Sequence, residues 1–512
     1  MEKQRKSFSR KTIWIIVVAA IIVVGAGVSA AVLLNLNPKQ QYFSAELESW
    51  NSMKEAAENR YGDELDWTEE IKESPNESTL ELSAEYNDPS GFDSMGIQEI
   101  VNSSTITLKN SLDPTNKEMA LDLSANFSGI TIEDIRFYLT SEKMMASLPF
   151  LDKFLQVKES ELGGMLHELD PANFTGEEEI DFDSFFNQSM LSEEDMEHLQ
   201  DTYLKMIYDE LPEDAFTSED EAVDVNGETL DSTKITLDLS EEQLKNIIEK
   251  VLTTAETDEK LKEIIQQQSS FSYPSDDVSQ MLEDFDAGIA EAKKALNEAK
   301  IPNGLTSTLW VNDDLVVKRD FTIELGPSES ELAEFTLAGT QLLQEENQNF
   351  DYTLGVNDGT MDNMVNLTGD LSWQDNMADD QIKISTSDME LVFTGTEELN
   401  DGTRDFDRTF SFVDQTSAST FELNWDGVST YEQDQMNAEH NLSFVSEGMN
   451  ESIFQLSINT DAKIVKSLDI DTDSMEVVDL GTMSAEEIDA YIQEEFTPQL
   501  QQWMMQFMGA GF

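Results

Sequence analysis

The chain has 512 residues, with 105 acidic against 31 basic side chains, a formal net charge of −74 and no cysteine. The missing cysteines remove thiol nucleophiles, disulfides, thiolate metal sites and the acylated cysteine of a bacterial lipoprotein. The charge excludes nucleic acid as a partner, because no basic stripe with interleaved aromatics offsets the anionic field, while 39% hydrophobic residues suffice for sizeable cores.

Lys3, Arg5, Lys6, Arg10 and Lys11 precede an uncharged run that opens at Ile13 and closes at Leu34. Its 22 residues would span roughly 33 Å as a helix at ~1.5 Å per residue, enough to cross a bilayer. Basic residues stay on the cytoplasmic side, so the run predicts a single-pass anchor with the N-terminus inside and everything after Pro38 outside. A signal peptide cleaved before Ala31 is the rival reading; a run longer than the ~7 to 15 residues of a usual h-region favours the anchor.

Phe43, Leu47, Trp50, Ala57 and Tyr61 then recur at helical spacing, predicting a short juxtamembrane helix. From Thr79 the period becomes two: Leu80, Leu82, Ala84 and Tyr86, then Ile106 and Leu108, then Met119, Leu121 and Leu123 alternate with polar residues, the mark of strands with one buried face. Ser192 with Asp195 predicts a helix start, Asn226-Gly227 a tight hairpin, and Ser240 with Gln243 a capping box ahead of Leu244, Ile247 and Ile248. A second helix carrying Phe285, Ile289, Ala292 and Leu296 stops at Pro302-Asn303-Gly304. From Phe335 to about Lys466 the pattern predicts about eight meandering antiparallel strands, with hairpins at Asn400-Asp401-Gly402 and Asp426-Gly427. Ser484 with Glu487 opens a last helix, which should break at Thr497-Pro498 and restart through Trp503 and Phe507.

The expected divisions are a basic cytoplasmic tail at 1–12, the span at 13–34, a juxtamembrane stalk helix at 35–76, a first α+β lobe at 77–330, a second β-rich antiparallel lobe at 331–483 and C-terminal amphipathic helices at 484–512. The fold class is α+β: a transmembrane helix followed by curved antiparallel sheets packed against helices in two lobes.

His167, His198 and His440 are far apart, each without a second ligand at metal spacing. No phosphate loop, nucleophile elbow or His-Glu-x-x-His is present. Asp469, Asp471 and Asp473 alternate like the start of a calcium loop, but Ser474 replaces the needed glycine and Leu480 the bidentate glutamate. The sequence therefore predicts no catalytic, cofactor-binding or metal-ligating residue, and its only assigned segment is the span from Ile13 to Leu34.

The basic-flanked span, the stalk, the hairpin at 223–228, the segment Thr233-Lys234-Ile235-Thr236-Leu237-Asp238-Leu239-Ser240 leading into a helix and the strand pair at 305–325 resemble the membrane-anchored extracytoplasmic proteins of Gram-positive bacteria. Those are distantly similar to the lipoprotein-carrier superfamily, whose curved antiparallel sheets wrap helices. The resemblance implies an anchored, non-enzymatic cell-envelope protein that holds a lipid, another apolar ligand or a protein partner outside the membrane. A wall hydrolase using a carboxylate pair, or a cation-binding envelope protein, is the alternative.

Overall fold

The computed structural model describes residues 37–87, 96–171, 174–176, 181–186, 192–270, 275–360, 362–448, 450–468, 470, 472 and 475–509. The expected span at 13–34 and the acids Asp469, Asp471 and Asp473 lie outside the described residues.

Helix α1, Pro38–Glu73, opens at a capping box: Asn37 Oδ1 accepts the Gln40 N–H at 2.9 Å, and Gln40 Oε1 accepts the Asn37 N–H at 3.1 Å. Pro38 fits the first turn, where no donor is required. The helix is longer than its apolar stripe predicts: Trp50 and Met53 are exposed, while Tyr42, Phe43, Ala45, Ser49, Arg60 and Trp67 are buried.

Strands β1 (Asn76–Tyr86), β2 (Thr105–Asp113), β3 (Glu118–Phe127), β4 (Ile130–Thr140), β5 (Lys143–Ser147) and β6 (Phe154–Lys158) form an antiparallel meander, interrupted by α2 (Ile97–Asn102). Helices α3 (Glu159–Leu169), α4 (Glu193–Leu199) and α5 (Lys205–Glu210) follow, the last two joined by a π-helical turn. Strands β7 (Phe216–Val225) and β8 (Glu228–Leu239) make a hairpin, and α6 (Glu241–Thr257), α7 (Glu259–Ser270) and α8 (Ser275–Glu298) lead to β9 (Leu305–Asn312) and β10 (Leu315–Leu325).

The next nine strands run without interruption: β11 (Ala333–Leu343), β12 (Asn347–Asn357), β13 (Asp362–Gln374), β14 (Met377–Ser385), β15 (Met389–Asn400), β16 (Thr403–Asp414), β17 (Ser419–Glu432), β18 (Gln435–Ser446) and β19 (Phe454–Ile464). Short β20 (Val477–Asp479) pairs parallel with β6. Helices α9 (Ala485–Tyr491) and α10 (Thr497–Gly509) close the chain.

Local chemistry accounts for the turns. Asn226 and Gly227, Asp375 and Asn376, and Asp401 and Gly402 all take positive φ, as a two-residue turn matched to strand twist requires. The expected hairpin at Asp426-Gly427 is not one: both residues lie inside β17, in register with Asp407 and Phe406 of β16. Their Asp-Gly signal reflects a close approach, since a Cβ on Gly427 would stand 2.3 Å from the Glu439 carbonyl oxygen. The expected break at Thr497-Pro498 is instead a π-helical turn, Ile492–Phe496, through which the helix continues into α10.

The two-lobe expectation is corrected by strand pairing. β1 pairs with β2 on one side and with β19 on the other, Tyr86 opposite Phe454, so the strand-rich halves fuse into one sheet of 20 strands. Alternation fixes which side of a strand is apolar but carries no information about a pairing between distant segments.

The largest core lies where β7 to β10 meet the helices. Leu237, Leu239, Leu244, Ile248, Leu296, Leu305 and Leu309 are almost fully buried there, together with Tyr42 and Phe43 of α1. A smaller core gathers Leu112, Leu139, Val157, Leu162, Phe182 and Phe186 under the β2 to β6 meander.

Candidate functional site

Helix α1 runs along the inner face of the sheet, and three polar contacts, two of them ion pairs, fix its course. Near its start the Lys39 Nζ donates to the Leu211 carbonyl at 2.7 Å, and about two turns on Glu46 accepts from Arg319 of β10 at 2.7 Å. Further along, Arg60 reaches β14 and β15, its Nη2 lying 2.7 Å from Asp380 Oδ2 and 3.1 Å from Glu397 Oε2.

Glu397 is the hub of that last cluster. Its Oε2 accepts from Arg404 Nη1 at 2.9 Å and its Oε1 from Arg408 Nη2 at 2.6 Å, while Arg404 Nε donates to Glu64 of α1 at 2.5 Å. Three guanidinium groups thus face the carboxylates of Glu64, Asp380 and Glu397, with the Tyr61 ring 4.7 Å from the Arg404 guanidinium carbon. Burial by itself would lift Glu397, but Arg60 and Arg408 hold its carboxyl below the ordinary carboxylate range. Burial is likewise outweighed at Arg404, which Glu64 and Glu397 hold above the ordinary arginine value. The cluster is a charge-balanced clamp joining helix to sheet, three guanidinium groups against three carboxylates.

The same face continues past the clamp as two apolar rows. Register places Tyr352, Leu367, Ile384, Leu391, Phe412 and Phe421 side by side across β12 to β17. One step nearer the helix run Phe350, Gly369, Ile382, Phe393, Phe410, Leu423 and Phe444. Neither row contains a charged residue. Since side chains alternate between faces, these residues share the face of Asp380, Glu397 and Arg404.

Their exposure sets them apart from the cores. Leu391 is 44% exposed, Phe412 37% and Phe421 43%, whereas Phe406, on the same face of β16 beside the clamp, is 4% exposed. Glycine shapes the strip: a Cβ on Gly369 would stand 2.0 Å from Phe350 Cζ, so the phenyl ring lies flat across the gap. The opposite face of β15 to β17 carries Glu390, Glu398, Asp405, Asp407, Glu422 and Asp426. A strand-built membrane span turns its apolar side outward to lipid, and here the apolar side faces the helix.

The histidines are separate. His198 Nε2 meets Asp258 at 2.9 Å, with Tyr203 donating to the same carboxylate at 2.8 Å. His167 Nδ1 contacts the Phe174 carbonyl oxygen at 2.6 Å. His440 accepts from Trp425 Nε1 at 3.3 Å, and burial with the nearby Arg408 charge pushes its imidazole down. Among the described residues no group of three or more metal-ligating side chains gathers. Sequence reasoning missed the clamp because Arg60, Asp380, Glu397 and Arg404 come from a helix and three strands with no shared motif. It read Phe410, Phe412 and Phe421 as ordinary strand residues.

No family model matches the chain, and no curated protein does. Solved structures that match include OccK3 (OpdO) of Pseudomonas aeruginosa at 7% identity, covering 78% of this chain and 98% of that one with a TM-score of 0.24. A BenF-like porin from Pseudomonas fluorescens matches at 8% identity, covering 76% and 97%, also at 0.24. OpdK of Pseudomonas aeruginosa, solved with vanillate, is 8% identical over 77% and 98%, at 0.23. Scores this low carry no argument about what the chain does.

The fold corrects the expectations drawn from the resemblance: one continuous sheet of 20 strands stands where the two-lobed, lipoprotein-carrier-like arrangement of anchored Gram-positive envelope proteins was expected. Among the described residues no helix is long and apolar enough to cross a membrane, which says nothing of a crossing by strands. The single-pass anchor, the membrane as partner through that helix and the extracytoplasmic location all rested on residues 13–34, and none enters the functional reading. What misled the sequence reading is that an apolar run and period-two strands are shared by many unrelated architectures.

Proposed function

We propose that the chain is a binding protein, not an enzyme, and that the open strip across β12 to β18 receives an amphipathic helix from a partner protein. The observation that carries this reading is the pair of uncharged, half-exposed rows on the inner face. Contiguous apolar surface of this kind marks interaction sites in soluble folds.

Dimensions and architecture favour a helix. Seven strands at about 4.8 Å spacing extend about 29 Å, the length of a helix of about 20 residues. At the other end of the sheet the same face is covered by helices, with α6 and α8 packed beside α1 over β7 to β10. Along β12 to β18 only α1 lies on that face among the described residues, so a second helix beside it would complete the layer.

The test is fluorescence anisotropy of the full chain with a labelled 20-residue amphipathic peptide, leucine on one face and serine and glutamine on the other. The expected result is saturable one-to-one binding that Leu391→Asp and Phe412→Asp abolish while the far-ultraviolet circular dichroism stays unchanged. Binding unaffected by either substitution, or no binding at all, sinks the proposal; saturable binding of oleate with no peptide binding would replace the helix by a lipid.

A further inference from the structure

The strip lies at one lip of the sheet, and the loops of that lip are the ones joining β12 to β13, β14 to β15, β16 to β17 and β18 to β19. Residues of the two rows stand within a few positions of these turns: Tyr352 and Leu367 lie on either side of the first, Ile384 and Leu391 flank the second, Phe412 and Phe421 the third, and Phe444 precedes the fourth. The turns and the strand ends beside them carry Asp358, Asp362, Asp388, Asp414, Glu447 and Glu451, and no lysine, arginine or histidine lies between 357 and 362, 385 and 389, 413 and 419, or 446 and 453.

The opposite side of the strip differs. There the clamp supplies three arginines, each already matched to a carboxylate. An occupant therefore lies between a neutralised ionic wall and a lip of one sign. Resting on the reading above, we infer that the helix received by the strip is basic along the flank that faces this lip, so that lysine or arginine side chains meet the carboxylates of the turns.

Two further observations support the pairing. Asp414 accepts the Thr416 N–H at 2.8 Å, the Thr416 hydroxyl at 2.6 Å and the Ser417 N–H at 3.2 Å, which fixes its carboxylate at the lip. Those hydrogen bonds hold its carboxyl down at about 2, keeping it charged in mild acid. The net charge of −74 adds a long-range field that draws a cation toward the molecule and repels an acidic competitor.

The experiment compares three peptides on the full chain: the serine/glutamine-flanked helix already described, the same helix with lysine along one flank, and the same with glutamate. At low salt the lysine peptide is expected to bind about tenfold or more tightly than the neutral one, an advantage that shrinks at 0.5 M salt as screening takes over. The glutamate peptide should bind more weakly than either. Asp388→Asn with Glu447→Gln is expected to cut the lysine advantage at least threefold and leave neutral binding in place.

Equal affinity for the three peptides would overturn the basic flank while leaving the docking reading intact. Failure of all three would overturn the docking reading itself. A lysine advantage that persists in the Asp388→Asn, Glu447→Gln variant would show that the charge is sensed elsewhere on the molecule, and would also overturn the inference.

Discussion

Arg60 and Glu397 stand 337 positions apart in the chain, yet the Nη2 of one lies 3.1 Å from the Oε2 of the other, both buried between helix α1 and strand β15. The contact fixes where the helix crosses the sheet. It also divides the inner face into a charged half under the helix and an apolar half beyond it.

Removing the hub should be severe. Glu397→Ala leaves Arg60, Arg404 and Arg408 facing too few carboxylates in a buried setting, and breaking such a cluster from one side costs about 3–5 kcal/mol. Glu58→Ala, which removes an exposed i,i+4 partner of Lys54, should cost under about 0.5 kcal/mol. Urea unfolding of both variants checks the contrast, and similar costs would show that the clamp does not hold the helix.

Acid should act through the same group. A carboxyl held below its ordinary value in the fold stabilises fully above that ordinary value of 4.5, and loses its contribution as pH falls through the depressed folded value. The stability gap between wild type and Glu397→Gln should therefore be constant from pH 7 to about 5 and narrow below about 4.5. A gap that widens in acid contradicts the assigned direction.

Phe406 and Phe412 give a paired test of the open strip. They sit on one face of β16, six positions apart, but only Phe406 is enclosed. Phe406→Ala should cost about 3–5 kcal/mol and Phe412→Ala less than about half of that, measured by urea midpoint. Equal losses would mean that Phe412 is covered within the isolated chain.

Gly369 should resist a side chain of any size. Because the Phe350 ring lies where its Cβ would go, Gly369→Ala forces the ring aside and should cost about 1–3 kcal/mol. Phe350→Ala in the same chain relieves the clash, so the double variant should lose less than the two single losses added. Strict additivity by thermal melting would remove the clash as the cause.

The local elements were legible in the residues alone. Ser192, Ser240 and Ser484 cap helices with the partners their spacing indicated, and Asn226-Gly227 turns a hairpin, because capping and turn geometry depend only on residues a few positions away. The apolar face of each strand was legible too, through the period of two. Long-range packing settles the rest: β1 joins β19 and makes one sheet where two lobes were expected, α1 lies along that sheet, and Phe412 stays half-open while Phe406 is enclosed. Burial depends on what the rest of the chain lays over a surface. Two phenylalanines six positions apart carry the same local signal, and the course of α1, set by Arg60 and Glu397 from opposite ends of the sequence, determines which one is covered.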